Sequence, residues 1–317
     1  MAADIVVIGS YNQDFVWKAD RFPKPGETIP GTFATGPGGK GSNQAIAAAR
    51  SGASTAFVGA VGNDTLGENA QALHKREGIE SHLAIKTQAP TGSAAIIVDA
   101  TGQNQIIGDM GANLELQEAD VPESLLRKAL IVLAQPESNP ATIRATLHKA
   151  HELGKITILN PAPIAENFDI SILNAVDILI PNELEFATLV RLTPACRNPK
   201  FSTEDLFTLN DAALHNLCRS LGVATVIITL GNQGCFLSEK NGHRRFSIYH
   251  GLPVVDTTGA GDAFIGAFSS GLIQFNNNIP KAIQFASIAA ALAVSKSGAA
   301  AAMPKAEDIQ KHLSLAF

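Results

Sequence analysis

The chain has 317 residues, a length ordinary for one large α/β domain, and its 45% hydrophobic and 17% charged residues supply a substantial core and exclude a disordered chain. Lys and Arg total 24 against 29 Asp and Glu, a formal charge of -5 with no basic run, which speaks against a nucleic-acid partner. Cys196, Cys218 and Cys235 are widely spaced and lack C-x-x-C pairing, so they read as reduced thiols of a cytoplasmic protein rather than a disulfide framework or zinc site.

The opening Met1-Ala2-Ala3-Asp4 is too short for a signal peptide and lacks its basic start, and no apolar run reaches the ~20 residues that span a bilayer. Ile5-Val6-Val7-Ile8 is a continuous, β-branched run stopped by Gly9, the pattern of a central strand in a covered parallel sheet. Polar Ser10-Tyr11-Asn12-Gln13-Asp14 follows. Asn12 and Asp14, two apart, suit hydrogen bonding to a polyhydroxylated ligand, and a surface loop explains them equally well.

Residues 15–35, broken by Pro23, Pro25 and Pro30, are expected to form exposed strand. Gly36-Pro37-Gly38-Gly39-Lys40-Gly41 matches G-x-G-x-x-G and precedes a helical pattern over 43–50. A dinucleotide fingerprint belongs to the first βα turn, however, and here the first strand already ends at Gly9. A P-loop is excluded because Gly41, not Ser or Thr, follows the lysine. What remains is a glycine-rich approach to a helix N-terminus carrying Lys40 and Asn43, able to bind hydroxyls or a phosphate; its plain alternative is a flexible turn.

Residues 93–108 read as a hairpin turning at Asp99-Ala100-Thr101-Gly102. With 15–35 it forms either a small sheet standing over a crevice or a decorative edge of the main sheet. Ile131 to Ala134, Ile156 to Leu159, Ile178 to Ile180 and Val226 to Ile228 repeat the first strand's pattern, ending at Gln135-Pro136-Glu137, Asn160-Pro161, Pro181-Asn182-Glu183 and Thr229-Leu230-Gly231. Helical patterns over 124–129, 141–153 and 212–221 alternate with them, so the sheet is mostly parallel and the polar strand ends line one crevice. His148 and His151 read as solvated. Asn182 to Glu185 opens a helix, and its acids either complement the helix dipole or hold a hydrated Mg2+. The polar segment 193–210 carries no functional reading.

Residues 252–255 are expected to be a buried strand running into Asp256-Thr257-Thr258-Gly259-Ala260-Gly261-Asp262 and an apolar helix. Glycines before a helix N-terminus let an anion approach backbone N–H groups that have no partner within the helix. Asp262 is then either a cap or a general base aimed at a hydroxyl. The Ala-rich segment 286–294 reads as a buried helix.

Taken jointly, these motifs resemble the ribokinase-like family of sugar kinases over almost the whole chain. The most specific are Gly38-Gly39-Lys40-Gly41-Ser42-Asn43 and Asp256 to Asp262, with Asn160-Pro161-Ala162-Pro163, Asn182-Glu183-x-Glu185 and Thr229-Leu230-Gly231-x-x-Gly234 between them in family order. The resemblance implies a three-layer αβα sandwich with a mostly parallel central sheet, one kinase domain over 1–317, and a small β-sheet lid from inserts at about 11–40 and 92–112. It implies ATP and Mg2+ as cofactors, and an ATP-dependent transfer of the γ-phosphoryl group to the 5-hydroxyl of a pentose, D-ribose first. Sister kinases for 2-deoxyribose, a hexose or a nucleoside, and a non-catalytic sugar-binding regulator, are the alternatives.

By the same resemblance Asp262 is the catalytic base and Gly259, Ala260 and Gly261 form the anion hole. Asn12, Asp14, Gly38, Gly39, Lys40, Asn43 and Glu137 hold the sugar. Asn182, Thr229, Gly231, Gly234, Gly261 and Ser287 border the nucleotide, and Glu185 serves the Mg2+ region. K+ is assigned to Asp256, Thr258, Ala293, Lys296 and Gly298, although Ala302 stands where the family commonly has a side-chain hydroxyl. Ribose kinases also dimerise through the lid, so a homodimer is expected.

Overall fold

In the computed structural model, residues 3–196 and 198–314 are described; Met1, Ala2, Arg197, Leu315, Ala316 and Phe317 lie outside them. The chain begins with β1 (Ile5–Ile8), leaves the main sheet through β2 (Asn12–Lys18) and β3 (Thr32–Gly38), and returns along helix α1 (Lys40–Arg50). Then come β4 (Thr55–Gly62), α2 (Thr65–Arg76), β5 (Glu80–Lys86), and the excursion β6 (Ser93–Val98) and β7 (Asn104–Asp109). Next are α3 (Glu123–Lys128), β8 (Ile131–Ala134), α4 (Pro140–Glu152), β9 (Ile156–Leu159), β10 (Ile178–Leu179), α5 (Glu183–Leu192), α6 (Thr203–Thr208) and α7 (Asp211–Ser220). The last third holds β11 (Thr225–Thr229), β12 (Cys235–Glu239), β13 (Gly242–Phe246), α8 (Ala260–Gln274), α9 (Ile279–Val294) and α10 (Ala306–Leu313).

The main sheet runs β13-β12-β11-β10-β9-β8-β1-β4-β5, parallel except for β12 and β13. Its apolar strands face a helical layer on each side, as their unbroken hydrophobicity requires. Ile5 and Val7 point to a core shared with α1, α8 and α9, whereas Val6 and Ile8 point to one shared with α3, α4, α5 and α7. The three-layer αβα architecture follows from that alternation. Successive connections carry the chain from β1 to β4 on one side and later to β8 on the other, so β1 lies where the winding reverses. In sheets of this class a crevice opens there, outside the carboxyl ends of the strands.

The strands β3-β2-β6-β7 form a separate sheet, so residues 15–35 and 93–108 belong together as a stand-off sheet and not to the edge of the main one. Because β2 leaves directly from the end of β1, this sheet stands beside the crevice. The G-x-G-x-x-G match begins inside β3 of this small sheet, far from a Rossmann first turn.

The segment 252–255 is not the buried strand expected of it: it forms no strand, and Val254 and Val255 are exposed. The hairpin β12–β13 has taken the sheet edge beside β11, so these residues have no ladder to join. Val255 and Asp256 instead donate backbone N–H groups to the Val294 carbonyl, at 2.8 and 3.1 Å. Helix α1 starts at Lys40 rather than Asn43, with Gly39 as its N-cap. A Cβ on Gly39, whose φ is +87°, would lie 2.7 Å from the Asn12 nitrogen, so glycine is required there.

The segment 193–210 is packing material. Phe201 and Leu206 are buried in the core beside α5, with Phe201 edge-on to Phe186 at 6.5 Å. Ser202 and Asp205 form a capping box on α6, and Arg191 donates to the Phe201 carbonyl at 3.1 Å.

Helices α1 and α8 cross in contact at Gly266, where an added Cβ would lie 2.5 Å from both the Ala47 Cβ and the Gln44 carbonyl oxygen. Gly266→Ala gains helix propensity but overpacks this crossing, and should destabilise the protein by about 1–3 kcal/mol in urea denaturation. An unchanged midpoint would show that the crossing has slack.

Candidate active site

The N-terminal turn of α1 and that of α8 meet at Asp262. The Asp262 carboxylate is buried and accepts from Asn43 Nδ2 at 3.0 Å on Oδ2 and from Gln44 Nε2 at 2.9 Å on Oδ1. Lys40, Asn43 and Gln44 share one face of α1 at i, i+3 and i+4 spacing, which is how one helix presents all three. Burial pushes the Asp262 carboxyl above its ordinary range, against the opposing pull of Lys40, Gln44 and Asn43. Burial pulls the Lys40 ammonium down, but Asp262, Glu137 and Glu185 outweigh it, so the lysine stays firmly charged.

Gly259 caps α8 in the left-handed region at φ +76°, with no side chain capping the helix. An added Cβ on Gly261 would meet nothing within 4 Å, so the approach to the first-turn N–H groups is open. Gly259 and Gly261 thus stand at the start of α8 beside Asp262.

The carboxylate of Glu137 lies at the start of α1 and that of Asp14 lies against Gly38. Glu137 Oε2 accepts from the Lys40 N–H at 2.8 Å and from Ser10 Oγ. On β2, Asp14 lies against Gly38 of β3, where an added Cβ would come within 2.4 Å of its Oδ2. Burial and then Glu137 push the Asp14 carboxyl up to about 6. Asn12 is buried, and its Oδ1 accepts from Asn113 Nδ2 at 2.9 Å. The expected sugar-side residues Asn12, Asp14, Gly38, Gly39, Lys40, Asn43 and Glu137 therefore converge, with the Oδ1 of Asn43 buried and unpartnered among the described residues.

Sequence reading missed three supports of this cluster. Gln44 bridges Asp262, Asn160 Oδ1 at 3.0 Å and Gln135 Nε2 at 2.6 Å, tying two strand ends to α1. Asn113 fixes the Tyr11 backbone through Nδ2 to its carbonyl at 3.0 Å and Oδ1 from its N–H at 3.1 Å. The helical spacing from Lys40 is the signal available for Gln44; Gln135 reads only as a strand end, and nothing local marks Asn113.

Further along the crevice, Asn182 and Glu185 form a full capping box, with Asn182 Nδ2 also donating to Glu185 Oε1 at 2.9 Å. The cap reading is realised in the geometry, yet Glu185 is buried and its carboxyl is pushed up, chiefly by burial. Among the described residues no group of three His, Cys, Asp or Glu is placed to cage a metal. A single carboxylate with water and phosphate is how Mg2+ is usually held, so Glu185 fits such a role.

Thr229 bridges to Asn182, and a Cβ added to Gly234, whose φ is +84°, would lie 1.9 Å from the Phe246 carbonyl oxygen, so glycine is required there. Phe246 lines a cavity of about 350 Å³ with Tyr249, Gln284 and Ser287.

Asp256 accepts from the Thr258 N–H and the Gly298 N–H, both at 2.9 Å. Burial works against its charge, but these donors hold its carboxyl below the usual range. Of the other residues assigned to K+, Ala293 is buried and its carbonyl accepts from the Lys296 N–H at 3.1 Å, while Ala302 adds only a buried methyl. One carboxylate with carbonyl oxygens suits a monovalent cation.

The chain matches the pfkB family of carbohydrate kinases over residues 2–306. It is 38% identical over 319 residues to a ribokinase of Staphylococcus aureus, covering 98% of this chain and 100% of that protein. Among solved structures it is similar to a ribokinase from Giardia lamblia, with TM-score 0.90, 33% identity and 100% of both chains covered. It is also similar to the Arabidopsis thaliana ribokinase complexed with ribose and ATP, with TM-score 0.85, 32% identity and 99% of both chains covered.

The Asp14 carboxyl gives a titration. In carboxyl carbon NMR, Asp14 should titrate at about 6, and Glu137→Gln should move that midpoint down toward the ordinary range of about 4. Because the folded value is raised, Asp14 opposes folding increasingly as pH climbs from about 4 to about 6. An unmoved midpoint in Glu137→Gln would leave burial as the sole cause.

Proposed function

The chain belongs to the pfkB family of carbohydrate kinases, and on that premise we propose that it transfers the γ-phosphoryl group of ATP to O5 of D-ribose. The reading is carried by one observation: Asp262, buried and gripped by Asn43 and Gln44, stands at the open N-terminus of α8 beside the charged Lys40. The ribokinase relatives, one of them complexed with ribose and ATP, support the choice of sugar and nucleotide.

In this reading Asp14, Glu137, Asn12, Asn43 and Lys40, with the backbone of Gly38 and Gly39, hold the sugar hydroxyls. Asp262 takes the proton from O5 as the oxygen attacks, and its burial-raised pKa favours that transfer. Phosphoryl transfer passes through a loose transition state, so positioning and charge neutralisation carry most of the catalysis. The N–H groups of Gly259, Ala260 and Gly261 stabilise the oxygens of the phosphoryl group in flight. Asn182, Thr229, Gly231, Gly234 and Ser287 border the nucleotide.

Glu185 would hold hydrated Mg2+, and Asp256 with the carbonyls of Thr258, Ala293, Lys296 and Gly298 would hold K+; each ion supplies positive charge near the phosphates. The lid sheet of β2, β3, β6 and β7 excludes water that would otherwise accept the phosphoryl group. The domain is a single kinase unit over 1–317, with lid inserts at about 11–40 and 92–112, and the protein works in the cytoplasm.

On the lid, Asp14 faces the crevice, and strand alternation turns Phe15 and Trp17 to the opposite face. Phe33 pairs with Trp17 across β3, and Trp17, Phe33 and Ile107 are exposed at 42%, 56% and 80%. A second copy of the chain covers this apolar face in a homodimer. Sedimentation should show a dimer that Ile107→Asp dissociates, and a monomeric parent protein would contradict it.

Coupled ADP release measured over a panel of sugars tests the activity. Ribose should be the best substrate, 2-deoxyribose should fall by up to ~10⁴-fold in kcat/KM if the 2-hydroxyl is bound by buried polar groups, and Asp262→Asn should lower kcat by at least ~10²-fold with a far smaller change in ribose affinity. Near-normal turnover in that variant would remove Asp262 from the role of base. Binding of ribose without ADP release by the parent protein would favour a regulator.

A further inference from the structure

Helix α1 carries the sugar-side residues at its first turn and ends on Arg50, whose side chain reaches a different part of the molecule. Arg50 Nη1 donates to the carbonyl oxygens of Ala300, Ala301 and Met303 at 3.1, 3.4 and 2.8 Å. Its Nε and Nη2 make a fork onto Glu77, at 2.8 and 2.9 Å. The two side chains are only 22% and 11% exposed, so this is a largely buried, bidentate pair rather than a surface ion pair.

The segment grasped by Arg50 is one short 3-10 turn, Ala300–Ala302, held inward by the buried Ala300, Ala302 and Met303. Residues 299–302 are all alanine, and the Ala299 backbone takes an irregular conformation, φ -87° and ψ -84°. At its front edge the Gly298 N–H donates to Asp256 Oδ2 at 2.9 Å. It also packs behind the helix cap: an added Cβ on Gly259 would lie 3.0 Å from both Cα and Cβ of Ala299 and 3.4 Å from the Met303 Cε. A displacement of 299–303 therefore presses on, or releases, the residue that aims the first N–H groups of α8.

We propose that Arg50, locked by Glu77, is a positioning residue for phosphoryl transfer: it clamps the 298–303 segment against Gly259 and Asp256 and so fixes the anion hole from behind. The proposal rests on the kinase reading above for its effect on turnover, while its structural half stands apart from it. One rigid helix then references both halves of the reaction, the sugar side through Lys40, Asn43 and Gln44, and the phosphoryl side through Arg50. Lysine cannot replace the guanidinium, because one ammonium lacks the planar fork that meets Glu77 and the carbonyls together.

The test uses Arg50→Ala and Arg50→Lys in the full chain, with kinetics and amide hydrogen exchange read by NMR. Both variants should lower kcat, Arg50→Ala by roughly 10- to 100-fold, with ribose KM within about twofold of the parent because the sugar contacts at the other end of α1 are untouched. Exchange should accelerate at Gly298 and Ala302, whose N–H groups donate to Asp256 and Ala299, while the core strand β1 keeps its protection. The proposal is overturned if kcat is unchanged in both variants, or if exchange rises evenly through the protein, since that is a general loss of stability. If the parent protein phosphorylates no sugar, the kinase reading falls and the exchange pattern alone decides whether Arg50 clamps the segment.

Discussion

A carboxylate taken out of water between two helices costs several kcal/mol unless the groups around it compensate. Asp262 is that carboxylate, and the groups around it aim it and offset part of the burial that still raises its carboxyl. Two amides on α1 donate to its two oxygens, Lys40 supplies the opposing charge, and the dipole of α8 favours an anion at its start. None of these groups is independent. The amides are placed by the close crossing of α1 and α8 at Gly266, and Gln44 is in turn braced by Gln135 and Asn160 from the ends of β8 and β9.

The same helix explains how a sheet edge and a glycine loop become one site. Helix α1 begins where β3 ends, so the small sheet and the first turn of α1 are covalently continuous. Asp14 and Glu137 are forced near one another by that geometry, and their mutual repulsion adds to burial in raising Asp14. Such a cluster is unstable in electrostatic terms when empty of partners. Hydroxyl groups donating to the carboxylates relieve it, which is why a polyol is the natural occupant.

Much of this was legible in the sequence because short β-branched runs bounded by glycine or polar turns are the signature of strands buried on both faces. Ile5–Ile8 and Ile131–Ala134 are examples, and their polar ends do converge. Thr55–Gly62 escaped because Ala and Gly dilute its pattern, and residues 252–255 misled because an apolar run beside a helix start imitates a strand when the ladder it needs is already taken. Single-residue motif logic found Asp262, Lys40 and Asn43. It was blind to Gln44 as a brace, to Asn113 as a backbone clasp and to Arg50, since each acts on a partner dozens to hundreds of positions away.

The central claim is that the buried acid at the start of α8 directs phosphoryl transfer to one hydroxyl of one sugar. The most direct measurement is product identification by phosphorus and carbon NMR after incubation with ATP and carbon-labelled ribose. The account predicts a single sugar phosphate whose phosphorus couples to carbon 5. Phosphate on another carbon, or ADP release with inorganic phosphate and no sugar ester, would contradict it.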